Sequence, residues 1–174
     1  MLSLLDVKKA KEIVRELKSQ TDITIVSFHG GAEGTEHVRV PKKAEIFYGE
    51  NRGDVHHFAR SVVDAGADIV LGHGPHVTRA VEVYKNKFIA YSLGNFNTYG
   101  RFSLTGDKGI APLLDIKLKS NGNFLSAKVV SVKQTKEKGL ELDAENRAFQ
   151  RIKKLTKLDF PEQNLKFEEN MIKL

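Results

Sequence analysis

The chain has 174 residues, enough for one domain with a core of its own. Hydrophobic residues make up 40% and charged residues 29%, the balance of an ordinary globular protein, and no stretch approaches the roughly 20 apolar residues of a membrane helix. The formal net charge of +6 comes from basic residues interleaved with acids; it suits an anionic ligand, and with no helix-turn-helix or RNA-binding aromatic pattern it implies no nucleic acid.

Residues 3–19 read as a helix, because Val7, Ala10, Ile13, Val14 and Leu17 recur at helical spacing and lysines fill the other face. Ser3 and Asp6 suit a capping box, or Asp6 is the cap itself. The segment 22–28, "DITIVSF", is a continuous apolar strand of the kind covered on both faces. A Gly-rich, charged connection follows over 29–53, longer than most loops and of a length often tied to function. A second helix is predicted over 52–65, with Val55, Phe58, Ala59, Val62 and Val63 inward and Gly66 as its terminating glycine. His57 falls opposite that stripe and His56 at its margin, so both are expected in solvent. Strands follow at "ADIVLG", at "AVEVY" and at "KFIAYSLG", the last two around a Lys-Asn-Lys turn. "GIAPLLDIKLK" and "NFLSAKVVSVKQ" flank Ser120-Asn121-Gly122, a hairpin signal. A last helix is expected over 144–156, with Ala148, Phe149, Ile152 and Leu155 inward, and the tail 157–174 is expected to be irregular. This order gives an α/β or α+β domain with a parallel portion.

Three apolar segments end in polar punctuation: His29-Gly30-Gly31, His73-Gly74-Pro75-His76, and Asn95. Ligands of open α/β sheets collect beyond the carboxyl ends of strands, so these three ends are expected to converge on one site. The adjoining glycines allow tight backbone paths and close ligand approach. Cysteine is absent, which leaves no disulfide and no thiolate metal site. Imidazole with carboxylate or amide oxygen is instead a ligand set for Zn, Mn or Fe, and two such ions clamp a phosphate ester and supply hydroxide. Glu33, four residues after His29, adds a carboxylate. Each of these residues also has an ordinary reading: Pro75 fixes a turn whose imidazoles bond loop carbonyls, "HGG" is a plain glycine turn, Glu33 is solvated, and Asn95 is a turn residue.

Taken together, "DITIVSFHGGAEG", "VVDAGADIVLGHGPHV" and "AVEVYKNKFIAYSLGNF" resemble the CapA family of capsule and poly-γ-glutamate biosynthesis proteins, in order and at consistent spacing over about residues 8–130. That family is similar in fold to the calcineurin-like metallophosphatases. The resemblance implies part of a four-layer α/β/β/α sandwich with a two-metal site. His29 matches the histidine of a His-Trp-Gly-like segment, with Gly30 in place of the commoner tryptophan, and Glu33 matches the acidic residue after it. His73 and His76 match the first and last histidines of a Gly-His-His-Pro-His-like segment, Gly74 standing where many members have the central one. Asn95 matches the asparagine of Ser-Leu-Gly-Asn-Phe. The early Gly-Asp segment of the family has no counterpart here, so residues 1–156 are expected to form the C-terminal portion of the domain with the N-terminal half missing.

The resemblance thus implies His29, His73 and His76 as catalytic residues, Gly30, Gly31 and Asn95 as substrate-binding, and His29, Glu33 and His76 as ligands of a divalent metal (Mn, Zn or Fe). The reaction would be a phosphoesterase-like hydrolysis for which this chain holds about half the site. The alternative is a non-catalytic binding or assembly protein for an anionic polymer. Expected partners are the missing half or a second copy, with an anionic polymer or phosphate ester as ligand. The family points to the cell envelope or an extracytoplasmic place, with any export signal outside this chain, since "MLSLLDVKKAKEIV" lacks a long apolar core.

Overall fold

The computed structural model describes residues 2–98, 100 and 102–174. Helix α1 (Val7–Lys18) is capped by Asp6, whose carboxylate accepts from the Lys9 amide, so Asp6 is the cap and there is no capping box with Ser3. Strand β1 (Ile25–His29) follows, then a long connection holding a short hairpin of β2 (Ile46–Phe47) and β3 (Glu50–Asn51). Helix α2 (Val55–Asp64) is capped by Asp54 and ends at Ala65 and Gly66, the glycine at φ 121°. Strands β4 (Ile69–His73), β5 (Val81–Tyr84) and β6 (Lys87–Ala90) come next. The β5–β6 turn places both Lys85 (φ 48°) and Asn86 (φ 64°) in the left-handed region, as a two-residue hairpin requires.

Strands β1, β4, β6 and β5 form one sheet in that order, parallel from β1 through β6 with β5 antiparallel at the edge. A second, antiparallel sheet is built on the hairpin of β7 (Ile110–Leu118) and β8 (Phe124–Thr135), which β9 (Gly139–Leu142) extends on β8. Helix α3 (Arg147–Asp159) begins three residues later than its apolar stripe suggested, after Asp143 and a left-handed Asn146. The tail expected to be irregular is ordered: it finishes α3, then forms β10 (Lys166–Glu168) and β11 (Met171–Lys173), and β11 joins β8. The reason lies in Phe167 and Ile172, which face each other across that small hairpin and are buried in the core.

Two apolar clusters follow from the period-2 alternation of the central strands. Val70 and Ile89 face α1 and α2, joining Ala10, Val14, Phe58 and Val62. Ile69, Phe88 and Ala90 face the other way, toward Phe124, Ala127 and Val129 of the second sheet and Phe149 and Ile152 of α3. The chain is therefore a mixed α/β protein. Asp68 is fully buried and paired: burial alone would raise its pKa, but it accepts from Lys18, Lys87 and the Thr24 amide, and together these bonds lower it.

One expectation about β1 fails. Its apolar run suggested cover on both faces, yet only Val26 and Phe28 turn toward α1 and α2, while Ile25 is 57% exposed and Ser27 and His29 share its open face. The second sheet covers β4, β6 and β5 but stops short of β1, and among the described residues β1 has no strand on its outer side. A groove of about 550 Å³ runs along this edge, lined by Leu4, Ile13 and Leu17 of the α1 region and by Ile25, His29 and His73.

Candidate functional site

The carboxyl ends of β1 and β4 are in register, His29 opposite His73, and parallel partners place both side chains on one face. The Gly30 amide donates to the His73 carbonyl at 2.8 Å, locking the two exits together. Gly74 then turns at φ 120° directly over Gly30; a Cβ there would lie 2.7 Å from the Gly30 oxygen. No side chain fits at position 74, because the two loops touch there backbone to backbone. Burial, and secondarily the neighbouring His29, lower the pKa of His73 and keep it neutral near pH 7.

Past Pro75 the chain delivers His76 in the left-handed region at φ 57°. Its Nδ1 lies 2.7 Å from Oδ1 of Asn95, which β6 and the following bridge at Thr78–Leu93 carry to the same end of the sheet. Asn95 is buried and its Nδ2 donates to the Lys108 carbonyl at 3.0 Å. Phe102 leans on the His76 ring at 4.8 Å between centroids. On the other side, His76 Nε2 stands 3.8 Å from Glu33 Oε2. Glu33 is itself in an ion pair with Arg52, whose Nη1 also reaches Glu50 at 3.0 Å.

The sequence-predicted residues therefore fall into two groups. His76, Asn95 and Glu33 meet, with Arg52 as a fourth member. His29 and His73 form a separate pair facing the groove beside α1. Among the described residues no three of His, Asp and Glu gather closely enough to hold a metal ion, so the expected trio of His29, Glu33 and His76 is not assembled by this chain. The cause is the left-handed turn at Gly31 (φ 87°), after which Glu33 leaves the direction of β1 and Gly34 is tied to the Pro75 carbonyl at 2.9 Å. The amides of Gly30 and Gly31, expected to bind substrate, are instead engaged within the chain. The Gly31 amide donates to the Arg52 carbonyl at 2.8 Å, and the Gly30 amide donates to the His73 carbonyl, so neither N–H is free to donate to a substrate. Both glycines serve close packing: a Cβ on Gly31 would lie 2.9 Å from Arg79 Nη1.

Arg79 is the residue that sequence reasoning missed. It is 0% exposed, donates to both oxygens of Glu45 at 2.9 and 2.8 Å, and also donates to the carbonyls of His37 (2.8 Å) and Ala32 (3.1 Å). Glu45 in turn accepts from the Ala32 amide at 3.0 Å. This one pair organises the long connection and so positions Glu33. An arginine at the head of the apolar run "AVEVY" was the available signal. His56 was also misread: it is half-buried, with Tyr91 and Phe160 rings stacked near it at 6.1 and 6.0 Å, and its Nε2 has no hydrogen-bond partner among the described residues. Burial, with Arg60 adding to it, lowers its pKa. His57 is exposed, as expected.

A family described as bacterial capsule synthesis protein PGA_cap matches residues 3–99, which hold β1 through Asn95 and every residue of the two groups. The chain belongs to the PGA_cap family. Among relatives, it is 36% identical over 111 residues to the PGA biosynthesis protein CapA of Bacillus subtilis (63% of this chain, 25% of that protein). It is 33% identical over 122 residues to the capsule biosynthesis protein CapA of Bacillus anthracis (70% of this chain, 25% of that protein). A probable polyglutamine synthesis accessory protein of Mycobacterium tuberculosis is 37% identical over 78 residues (45% of this chain, 17% of that protein). The matched stretch thus spans about a quarter of the length of the two CapA relatives. In this PGA_cap chain the Lys108 carbonyl that holds Asn95 lies beyond the matched residues.

Proposed function

We propose that this PGA_cap chain is part of a CapA-type protein acting in capsule or poly-γ-glutamate biosynthesis at the cell envelope, and that His76, Asn95, Glu33 and Arg52 are this chain's share of a phosphoesterase-like hydrolase site. One observation carries the reading: a histidine at φ 57°, bonded to a buried asparagine, faces an ion pair at the carboxyl ends of adjacent strands. Non-glycine residues in that region cluster at working sites. The names of the Bacillus relatives supply the pathway.

In this reading the layers α1/α2, first sheet, second sheet and α3 belong to an α/β/β/α sandwich whose remaining part packs along the open face of β1. The apolar groove there, and the greater length of the relatives, support that. The donors on this chain do not fit a complete metal centre: His76 with Glu33, and His29 with His73, are pairs, whereas a zinc site takes three or four protein ligands. No step is therefore routed through a metal here; a divalent ion (Mn, Zn or Fe) at either pair would need donors from outside this chain. What the chain's own residues do is clearer. Arg52 offers a guanidinium to a phosphate or carboxylate oxygen. Water adds to the phosphorus of the ester and gives up a proton to solvent, the bond to the leaving oxygen breaks, and protonated His76 gives its Nε2 proton to that oxygen.

The test is hydrolysis of a chromogenic phosphodiester by the full-length protein, paired with elemental analysis. His76→Ala is expected to lower turnover about a hundredfold or more, and His29→Ala to lower metal content. A second reading is favoured by the missing third metal donor: a non-catalytic protein whose Arg52 and net charge of +6 hold an anionic polymer. Metal-free, inactive full-length protein that binds poly-γ-glutamate with an affinity falling on Arg52→Ala would establish it and defeat the first.

A further inference from the structure

We infer that Asn95 is a positioning residue that fixes neutral His76 as the Nδ1–H tautomer, so that Nε2 is the one ring atom open to a ligand or a transferred proton. The argument begins outside the histidine. The Lys108 carbonyl can only accept a hydrogen bond, so the amide atom 3.0 Å from it must be the NH₂ of Asn95. That orientation turns Oδ1 toward His76, and an amide oxygen can only accept. The ring nitrogen 2.7 Å away, Nδ1, must then carry its hydrogen. In the neutral ring Nε2 is left with a bare lone pair, and it is Nε2 that faces Glu33 at 3.8 Å. In the charged ring Nδ1–H still meets Oδ1, so gain and loss of a proton happen at Nε2 alone.

Burial makes this assignment rigid. Asn95 is 4% exposed, and a flipped amide would set oxygen against the Lys108 oxygen. Lys108 belongs to the 3₁₀ turn Gly106–Gly109, whose Asp107 is in an ion pair with Arg151 of α3. The turn also enters β7 at Ile110, whose carbonyl accepts from Thr78 at 3.3 Å. The C-terminal segment, outside residues 3–99, thereby reaches back to set which nitrogen of a histidine inside the family match is free. The inference rests on the proposed function only for what Nε2 would do; the tautomer itself is independent of any ligand.

The experiment is long-range proton–nitrogen correlation NMR on protein carrying isotopically labelled histidine, at a pH about two units above the usual histidine value of about 6.5. His76→Gln assigns the ring among the six histidines. The expected spectrum shows His76 with hydrogen on Nδ1; Asn95→Leu should move it toward Nε2–H, and Asn95→Asp, which still accepts, should keep it on Nδ1. A wild-type ring with hydrogen on Nε2, or Nδ1–H retained in Asn95→Leu, overturns the inference. If Asn95→Leu does not fold, the wild type and Asn95→Asp decide it, either one carrying Nε2–H being enough to overturn. Nδ1–H in a protein without hydrolysis would sink the proposed function and leave this inference standing; Nε2–H in an active hydrolase would do the reverse.

Discussion

Arg79→Met is the most demanding test of how the long connection is held. The substitution keeps an unbranched apolar stem in a fully buried position but removes four donated hydrogen bonds and the charge that faces Glu45. Glu45, 7% exposed, is left with the Ala32 amide alone. Breaking a buried pair by removing one partner costs about 3–5 kcal/mol, because the stranded charge retains its desolvation penalty. For a chain of this length each kcal/mol corresponds to roughly 2–4 °C, so the melting temperature should fall by about 6–20 °C. Thermal melts followed by circular dichroism, with urea titration as a second measure, read this directly. The double variant Arg79→Met/Glu45→Leu removes the stranded charge and should recover much of the loss. If Arg79→Met melted within about 3 °C of wild type, or if the double variant were the sum of two large losses, the pair would not be what organises residues 31–45.

Gly74→Ala should cost about 1–3 kcal/mol in urea unfolding, because φ is 120° and the new methyl would lie 2.7 Å from the Gly30 oxygen; a neutral result would mean that the two loops separate easily. His56 and His73 have pKa values lowered in the fold, mainly by burial, so they bind protons more readily when unfolded. Their contribution is full above about 6.5 and is lost as pH falls below it toward the folded values. His56→Leu should therefore shrink the drop in urea midpoint between pH about 7.5 and about 5.5, and an unchanged drop would remove His56 as a cause. Calorimetric titration of the 174-residue chain with Zn²⁺ or Mn²⁺ should show at most one weak site, weaker still below pH of about 6.5 where imidazoles protonate; tight binding of two ions unaffected by His29→Ala would mean that other residues hold them.

What was legible in the sequence was local. The apolar stripes of α1 and α2, the cap glycine at 66, and the turns at Lys85-Asn86 and Asn121-Gly122 depend on residues within a few positions of one another. The open face of β1 was not, because an apolar run reads alike whether the second sheet reaches it or stops one strand short. The final hairpin escaped notice although Glu169-Asn170 carries φ values of 47° and 62°; three-residue strands are too short for alternation to register. The site was half legible. Strand ends pointed to His76 and Asn95, but Arg79 finds Glu45 34 positions away and Arg52 finds Glu33 19 away, and no spacing rule connects such partners.

The backbone at His76 raises a different question from the left-handed residues of the hairpins. Tyr48, Lys85, Asn86, Glu169 and Asn170 sit in hairpin turns, where the twist of the flanking strands demands positive φ. His76 lies in a connection from β4 to β5 that closes no hairpin, so turn chemistry does not account for it. Glycine or asparagine would meet the same backbone need at lower cost. Neither would present a ring nitrogen to Glu33 while donating from the opposite nitrogen to a buried amide. The imidazole is held there by Asn95, and the Gly34–Pro75 backbone bond of 2.9 Å ties the loop one residue before it. Two residues before His76, Gly74 lets the two loops meet backbone to backbone, since a Cβ there would lie 2.7 Å from the Gly30 oxygen.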